Sequence, residues 1–115
     1  MNRFILLAFA LILIQCKTKK IISETTTYSP SEKELSVAQR LWPNTSAEEL
    51  KEGNSIYKNQ CTECHKNFTI TKFSEKKWKH EIDDMSPKAK LTDEQKLKLT
   101  KFILSFREAN APAAK

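Results

Sequence analysis

The chain has 115 residues, 30% of them charged and 39% hydrophobic, with a formal net charge of +6 at pH 7. That length holds one domain at most once the ends are set aside, and a single glycine excludes a Gly-rich phosphate loop. The lysines are not interleaved with a reader motif, which argues against a nucleic-acid partner.

Residues 1–15 read as a signal peptide. Asn2 and Arg3 give a short positive start, and Phe4 to Ile14 is an apolar run of eleven residues, too short to span a bilayer. The run ends Leu13-Ile14-Gln15-Cys16, which resembles a bacterial lipoprotein cleavage site with Cys16 as the lipidated first mature residue. The usual small residue before the cysteine is here Gln15, and an ordinary secretory peptide with an incidental cysteine is the alternative. Residues 16–44 then read as a lipid-anchored tether, because Ser23 to Ser31 is polar with nothing to bury. Within it, Ser31 to Leu41 has Leu35, Ala38 and Leu41 on one stripe and could form a short helix, which Trp42-Pro43 ends. Whether Trp42 packs on the domain or stays exposed is open at this level.

Residues 45–110 form the expected domain. Its first helix opens at Thr45-Ser46, where Thr45 with Glu48 or Ser46 with Glu49 makes a capping box. At about 100° per residue, Leu50, Gly53, Ile56, Tyr57, Cys61 and Cys64 share one broad face. Gly53 inside a helix costs roughly 1 kcal/mol against Ala, a cost that a close crossing by another helix would justify.

That helix runs into Cys61-Thr62-Glu63-Cys64-His65, which reads as a c-type haem attachment site. Two cysteines three apart can reach the two vinyl groups of one porphyrin, and His65 then offers a ring nitrogen to the iron. Other chemistries use the same residue types. Structural zinc wants four ligands, and the mature chain offers Cys61, Cys64, His65 and His80, two of them adjacent. A redox dithiol expects a βαβ context, and no strand alternation precedes the motif. Three cysteines divide as two for haem and one for lipid, leaving no stray thiol in an oxidising compartment.

Asn67 to Phe73 is a loop carrying Phe68, Ile70 and Phe73, read as one wall of a haem crevice. Ser74 caps a second helix through about Asp84, with Trp78, Ile82 and Met85 on one face and His80 on nearly the opposite one. Met85 is the sole methionine of the mature chain, and Ser86-Pro87 is expected to turn the chain after it. A bent neighbourhood would let the thioether point at an iron, so Met85 is the favoured sixth ligand; core filler and a His80 ligand are the alternatives. Thr92 and Gln95 box the start of a last helix. Leu99, Phe102, Ile103 and Phe106 form one apolar stripe there, and Leu97 with Leu104 a second. Residues 111–115, with Asn110 at their edge, read as a frayed tail. A folded part of about 65 residues rarely stabilises itself alone, so the haem-free chain is expected to be largely unfolded.

Gly53 and Tyr57 running into the haem motif, Met85 before Leu91-Thr92-Asp93-Glu94, and an aromatic last helix with Phe102 together resemble a class I monohaem cytochrome c, of the small bacterial lipoprotein type. The likeness covers about residues 45–108. It implies an all-α fold of three to four helices around one covalent haem c, with Cys61 and Cys64 as thioethers and His65 and Met85 as axial ligands. It also implies a haem pocket of Tyr57, Phe68, Ile70, Phe73, Trp78, Ile82, Leu91 and Phe102, and first and last helices crossing near Gly53 and Phe102. His65 and Met85 are 20 residues apart, a shorter excursion than in larger family members.

The implied function is one-electron transfer, not enzyme catalysis, on the periplasmic side of a bacterial membrane. The implied partners are redox proteins steered by the lysines between Lys66 and Lys101, with the chain a monomer or a subunit of a respiratory complex. The alternative is a haem-based gas sensor or small haem enzyme with an open sixth position.

Overall fold

The computed structural model describes residues 27–61 and 68–112. All regular structure among them is helical: α1 (Glu32–Leu41), α2 (Ala47–Asn59), a 3-10 turn (Ile70–Lys72), α3 (Glu75–Lys88) and α4 (Asp93–Asn110). Each α-helix begins where a hydroxyl can satisfy the free N–H groups of its first turn. Ser31, Ser46 and Thr92 do so in full capping boxes with Glu34, Glu49 and Gln95, and Ser74 accepts from the Lys77 N–H. Thr45, the other candidate cap for α2, is buried instead and donates to the Trp42 carbonyl at 2.7 Å.

α4 is the central element, touching α1, α2, α3 and the 3-10 turn, with its most extensive contact to α2. The crossing with α2 depends on Gly53. A Cβ at that position would meet the Lys98 carbonyl and lie 2.6 Å from the Phe102 Cβ. Ion pairs flank the crossing, Lys101 with Glu49 at 2.9 Å and Lys98 with Glu52 and Glu94. Hydrogen bonding to Lys101 holds the Glu49 carboxyl below the ordinary carboxylate range. Around the crossing, Leu50, Trp78, Ile82, Leu99 and Ile103 are almost wholly buried. Each contributes about 1.5–3 kcal/mol by leaving water.

Of the tether expected over residues 16–44, the described part from Tyr28 onward is packed on the domain. α1 lies on α4 with Glu34 and Ala38 buried. Glu34 accepts from the Tyr28 hydroxyl and from the Asn110 amide, each at 2.8 Å, while Arg40 pairs with Glu108. The Tyr28 ring stands edge-on to Phe102 at 5.2 Å, and Trp42 packs half-buried against the core. Asn110 is therefore tied to α1 and does not belong to a frayed end. Polar composition misleads here because a buried glutamate with three donors is as well satisfied as an apolar residue.

Two further expectations need correction. α3 continues to Lys88 instead of ending near Asp84, so Met85 sits in a helical last turn and Pro87 lies inside the helix. A proline this close to the end withholds one N–H, and the last turn closes through the Ala89 N–H on the Met85 carbonyl at 2.9 Å. In α4 the second stripe is half real: Leu104 is buried, but Leu97 is 45% exposed. No helix among the described residues is long and apolar enough to cross a membrane.

Ser105, at 0% exposure, is the one buried side chain among the described residues whose hydroxyl finds no partner. An unpaired buried hydroxyl costs about 1–3 kcal/mol. Ser105→Ala should therefore raise the urea midpoint by about 1 kcal/mol in stability without changing the slope. A lowered midpoint would mean that the hydroxyl has a water or other partner.

Candidate functional site

The site is built on the last two turns of α2. Gly53 brings α4 close, and one turn later Tyr57 packs between Trp78 and Phe102, with ring centroids at 6.0 and 6.1 Å. One further turn brings Cys61, just past the helix end and buried, its N–H still on the Ile56 carbonyl at 3.3 Å. Cys61 thus shares the packed face, as its periodicity predicts, although the helix itself stops at Asn59.

The returning segment 68–73 is clamped at three carbonyls by three helices. Tyr57 of α2 donates to Phe68, Trp78 of α3 to Ile70 at 2.7 Å, and Arg107 of α4 to Phe73 at 2.7 Å. Cys61 is thus held at the end of α2, and the backbone from Phe68 to Phe73 is pinned to three helices. The polar tips of Tyr57, Trp78 and Arg107 carry this arrangement, and sequence reading treated the two aromatics only as apolar bulk and did not use Arg107.

Cys61 opens onto a cavity of about 260 Å³ between the ends of α2 and α3. Gln60 and Cys61 line it from one side, and Glu81, Met85 and Ala89 from the other. The Asp84–Lys88 ion pair, at 2.7 Å, stands at its margin. Met85 is half-buried on the same side of α3 as Trp78 and Ile82, while His80 is exposed and does not line the cavity. Burial pushes the Cys61 thiol up from its ordinary range, and burial together with the Cys61 charge raises the Tyr57 hydroxyl. A raised thiol is the opposite of what an activated redox dithiol needs.

The structure brings Cys61 and Met85 to one cavity. Cys16, Cys64 and His65 lie outside the described residues. The predicted pocket residues fall elsewhere. Trp78 and Ile82 are buried in the core, Phe73 and Leu91 pack half-buried against it, and Tyr57, Phe68, Ile70 and Phe102 line a second cavity, of about 320 Å³. None of them lines the cavity of Cys61 and Met85.

The lysines expected to form a steering surface are largely neutralised. Lys77, Lys79, Lys88, Lys96, Lys98 and Lys101 each pair with a carboxylate, mostly one turn away on the same helix. Exposed pairs of this kind add little stability, but they cancel the field at a distance. Among the described residues, no group of three His, Cys, Asp or Glu side chains could hold a metal ion. No family model matches the chain, and no curated protein or solved structure matches it.

Proposed function

We propose that this chain is a membrane-tethered electron-transfer protein of the class I cytochrome c type, carrying one haem c on Cys61 and Cys64. The observation that carries this reading is the shared cavity: a buried cysteine of a Cys-x-x-Cys-His motif faces the sole thioether of the mature chain across one space. The residues fit the group. Cys61 supplies one thioether from the end of α2, and Met85 a soft sulfur donor from the end of α3. By sequence, Cys64 and His65 would supply the second thioether and an imidazole nitrogen. Bound there, haem c supplies a reversible one-electron couple, which a sulfur ligand shifts toward the ferrous form.

The chain's own part is to hold and to exclude. Cys61, Met85 and Ala89 give the cavity its apolar lining, and Gln60, Glu81, Asp84 and Lys88 its polar one. With His65 and Met85 both donating to the iron, the chain would leave no position for a substrate, which favours a carrier over an enzyme. Periplasmic exposure and anchoring through Cys16 follow from the signal-peptide reading, and redox proteins are the partners. With so many lysines paired, close contact contributes more to partner choice than long-range steering.

The test is a haem stain on a denaturing gel, with the mass of the mature chain, after expression beside a haem-ligation system. Wild type should carry one haem, and Cys61→Ala/Cys64→Ala none. The double variant should also lose its cooperative melt, because a core this small gains much of its stability from a covalent prosthetic group. A mature mass equal to polypeptide plus lipid would overturn the reading.

A further inference from the structure

The wall that α3 gives to the Cys61 cavity is the least firmly held part of the site. The cavity measures about 260 Å³, the volume of about nine waters, and a porphyrin with its axial ligands occupies more. A ring bonded to Cys61, with the Met85 sulfur on its iron, lies between the two walls, so one of them has to give. On the first side Cys61 is buried, with its N–H on the Ile56 carbonyl. The neighbouring backbone from Phe68 to Phe73 is tied to three helices.

The last turn of α3 has weaker ties. Ile82 is the last fully buried apolar residue of the helix. Ser86 is buried too, but its hydroxyl bonds back to the Ile82 carbonyl, a contact that slightly loosens a helix. Pro87 has no N–H to give the Asp83 carbonyl one turn earlier. The turn closes through the Lys90 N–H on the Pro87 carbonyl and the Leu91 N–H on the Ser86 carbonyl, at 3.1 and 3.0 Å. That cap usually takes glycine, and here Lys90 adopts its left-handed conformation, with φ at 53°. The Asp84–Lys88 and Asp83–Lys96 ion pairs are exposed and hold little. Beyond the cap, Leu91 packs half-buried against the core. Residues 83–90 thus join two anchors, Ile82 and Leu91. They rise about 1.5 Å each while helical and reach about 3.3 Å each when extended, so opening gives slack without moving either anchor.

We propose that α3 ends at Asp84 when the chain holds its haem. Residues 85–90 then leave the helix, draw back from Cys61 and present the Met85 sulfur from a loop. The segment is a conformational device with two forms, one closed by the Lys90 cap and one open around the ring. This rests on the haem reading above and adds to it which part of the chain yields. Opening also frees Lys90 from its left-handed conformation and returns the Asp83 carbonyl to water, so two costs of the closed turn disappear together.

The test uses the full chain expressed beside a haem-ligation system, with a haem stain and a mass on the same sample. In NMR spectra of the ferrous protein, contacts from α-protons to amide protons three residues on mark a helix. They should run along α3 as far as Asp84 and be absent from Met85 to Lys88. Lys90→Gly supplies a second readout whose sign differs between the two forms. With the turn open, glycine only adds freedom to the unfolded chain, and the folding constant should fall by about twofold to fivefold. With the cap closed, glycine relieves the left-handed lysine, and the constant should rise by about fivefold or more. Helical contacts from Met85 to Lys88, or a stabilised Lys90→Gly, would overturn the proposal. A sample without haem fails the functional reading, whereas one that carries haem and stays helical to Lys88 fails this inference alone.

Discussion

Gly53→Ala is expected to destabilise the protein by at least about 3 kcal/mol, although alanine is the better helix former. Two effects oppose each other. Replacing a mid-helix glycine by alanine gains at most about 1 kcal/mol of propensity. Against this, the new methyl overlaps the Lys98 carbonyl and approaches the Phe102 Cβ to 2.6 Å. The first of these is backbone in the middle of the central helix and has no rotamer into which to retreat. Relief requires α2 and α4 to part along the contact that seats Tyr57 and Phe102. Small domains hold only about 5–15 kcal/mol in total, so a variant with valine at the same position should not fold cooperatively. Urea unfolding of Gly53→Ala beside Ser55→Ala separates the effects, because Ser55 is exposed on the same helix and should gain slightly. A Gly53→Ala midpoint at or above wild type would mean that the helices are not in contact there.

Met85→Ala should leave the protein folded and change its spectrum. Met85 is half-buried at a cavity edge, so its truncation costs less than the 2–5 kcal/mol typical of a core site. If its sulfur binds the iron, the ferric absorption band that reports a sulfur ligand disappears. The reduction potential then falls by on the order of 100 mV, a modest share of the ~0.8 V range that axial ligands span. His80→Ala serves as the control and should change neither quantity, since His80 points to solvent. An unaltered Met85→Ala spectrum would remove Met85 from the ligand set and favour a sensor or enzyme with an open position.

Local signals made much of this fold legible. Hydroxyl caps, a glycine at helical spacing from Tyr57 and Cys61, and the stripe of Trp78, Ile82 and Met85 are short-range patterns. A short-range pattern is decided by the residues that compose it. What escaped depends on partners far along the chain. Glu34 is an ordinary polar residue until Tyr28 and Asn110 meet it. Lys101 is an ordinary surface lysine until Glu49 crosses from another helix. Pro87 misled because its position in the last turn, not its presence, decides whether a helix survives it. Periodicity likewise does not tell which of two cavities a side chain borders: Tyr57, Phe68 and Phe102 border one, Cys61 and Met85 another.

On the proposed anchoring through Cys16, the docking of α1 on α4 also sets how far the domain can travel. Between Cys16 and Tyr28 lie eleven residues, 17–27, which span at most about 40 Å whatever path they take. Had everything before residue 45 been free, the leash would have reached roughly 100 Å. A shorter leash confines the domain to a thin layer above its anchor and concentrates it there. The proposed electron exchange would therefore favour proteins embedded in, or resting on, the same lipid surface over those that would have to be met across a gap.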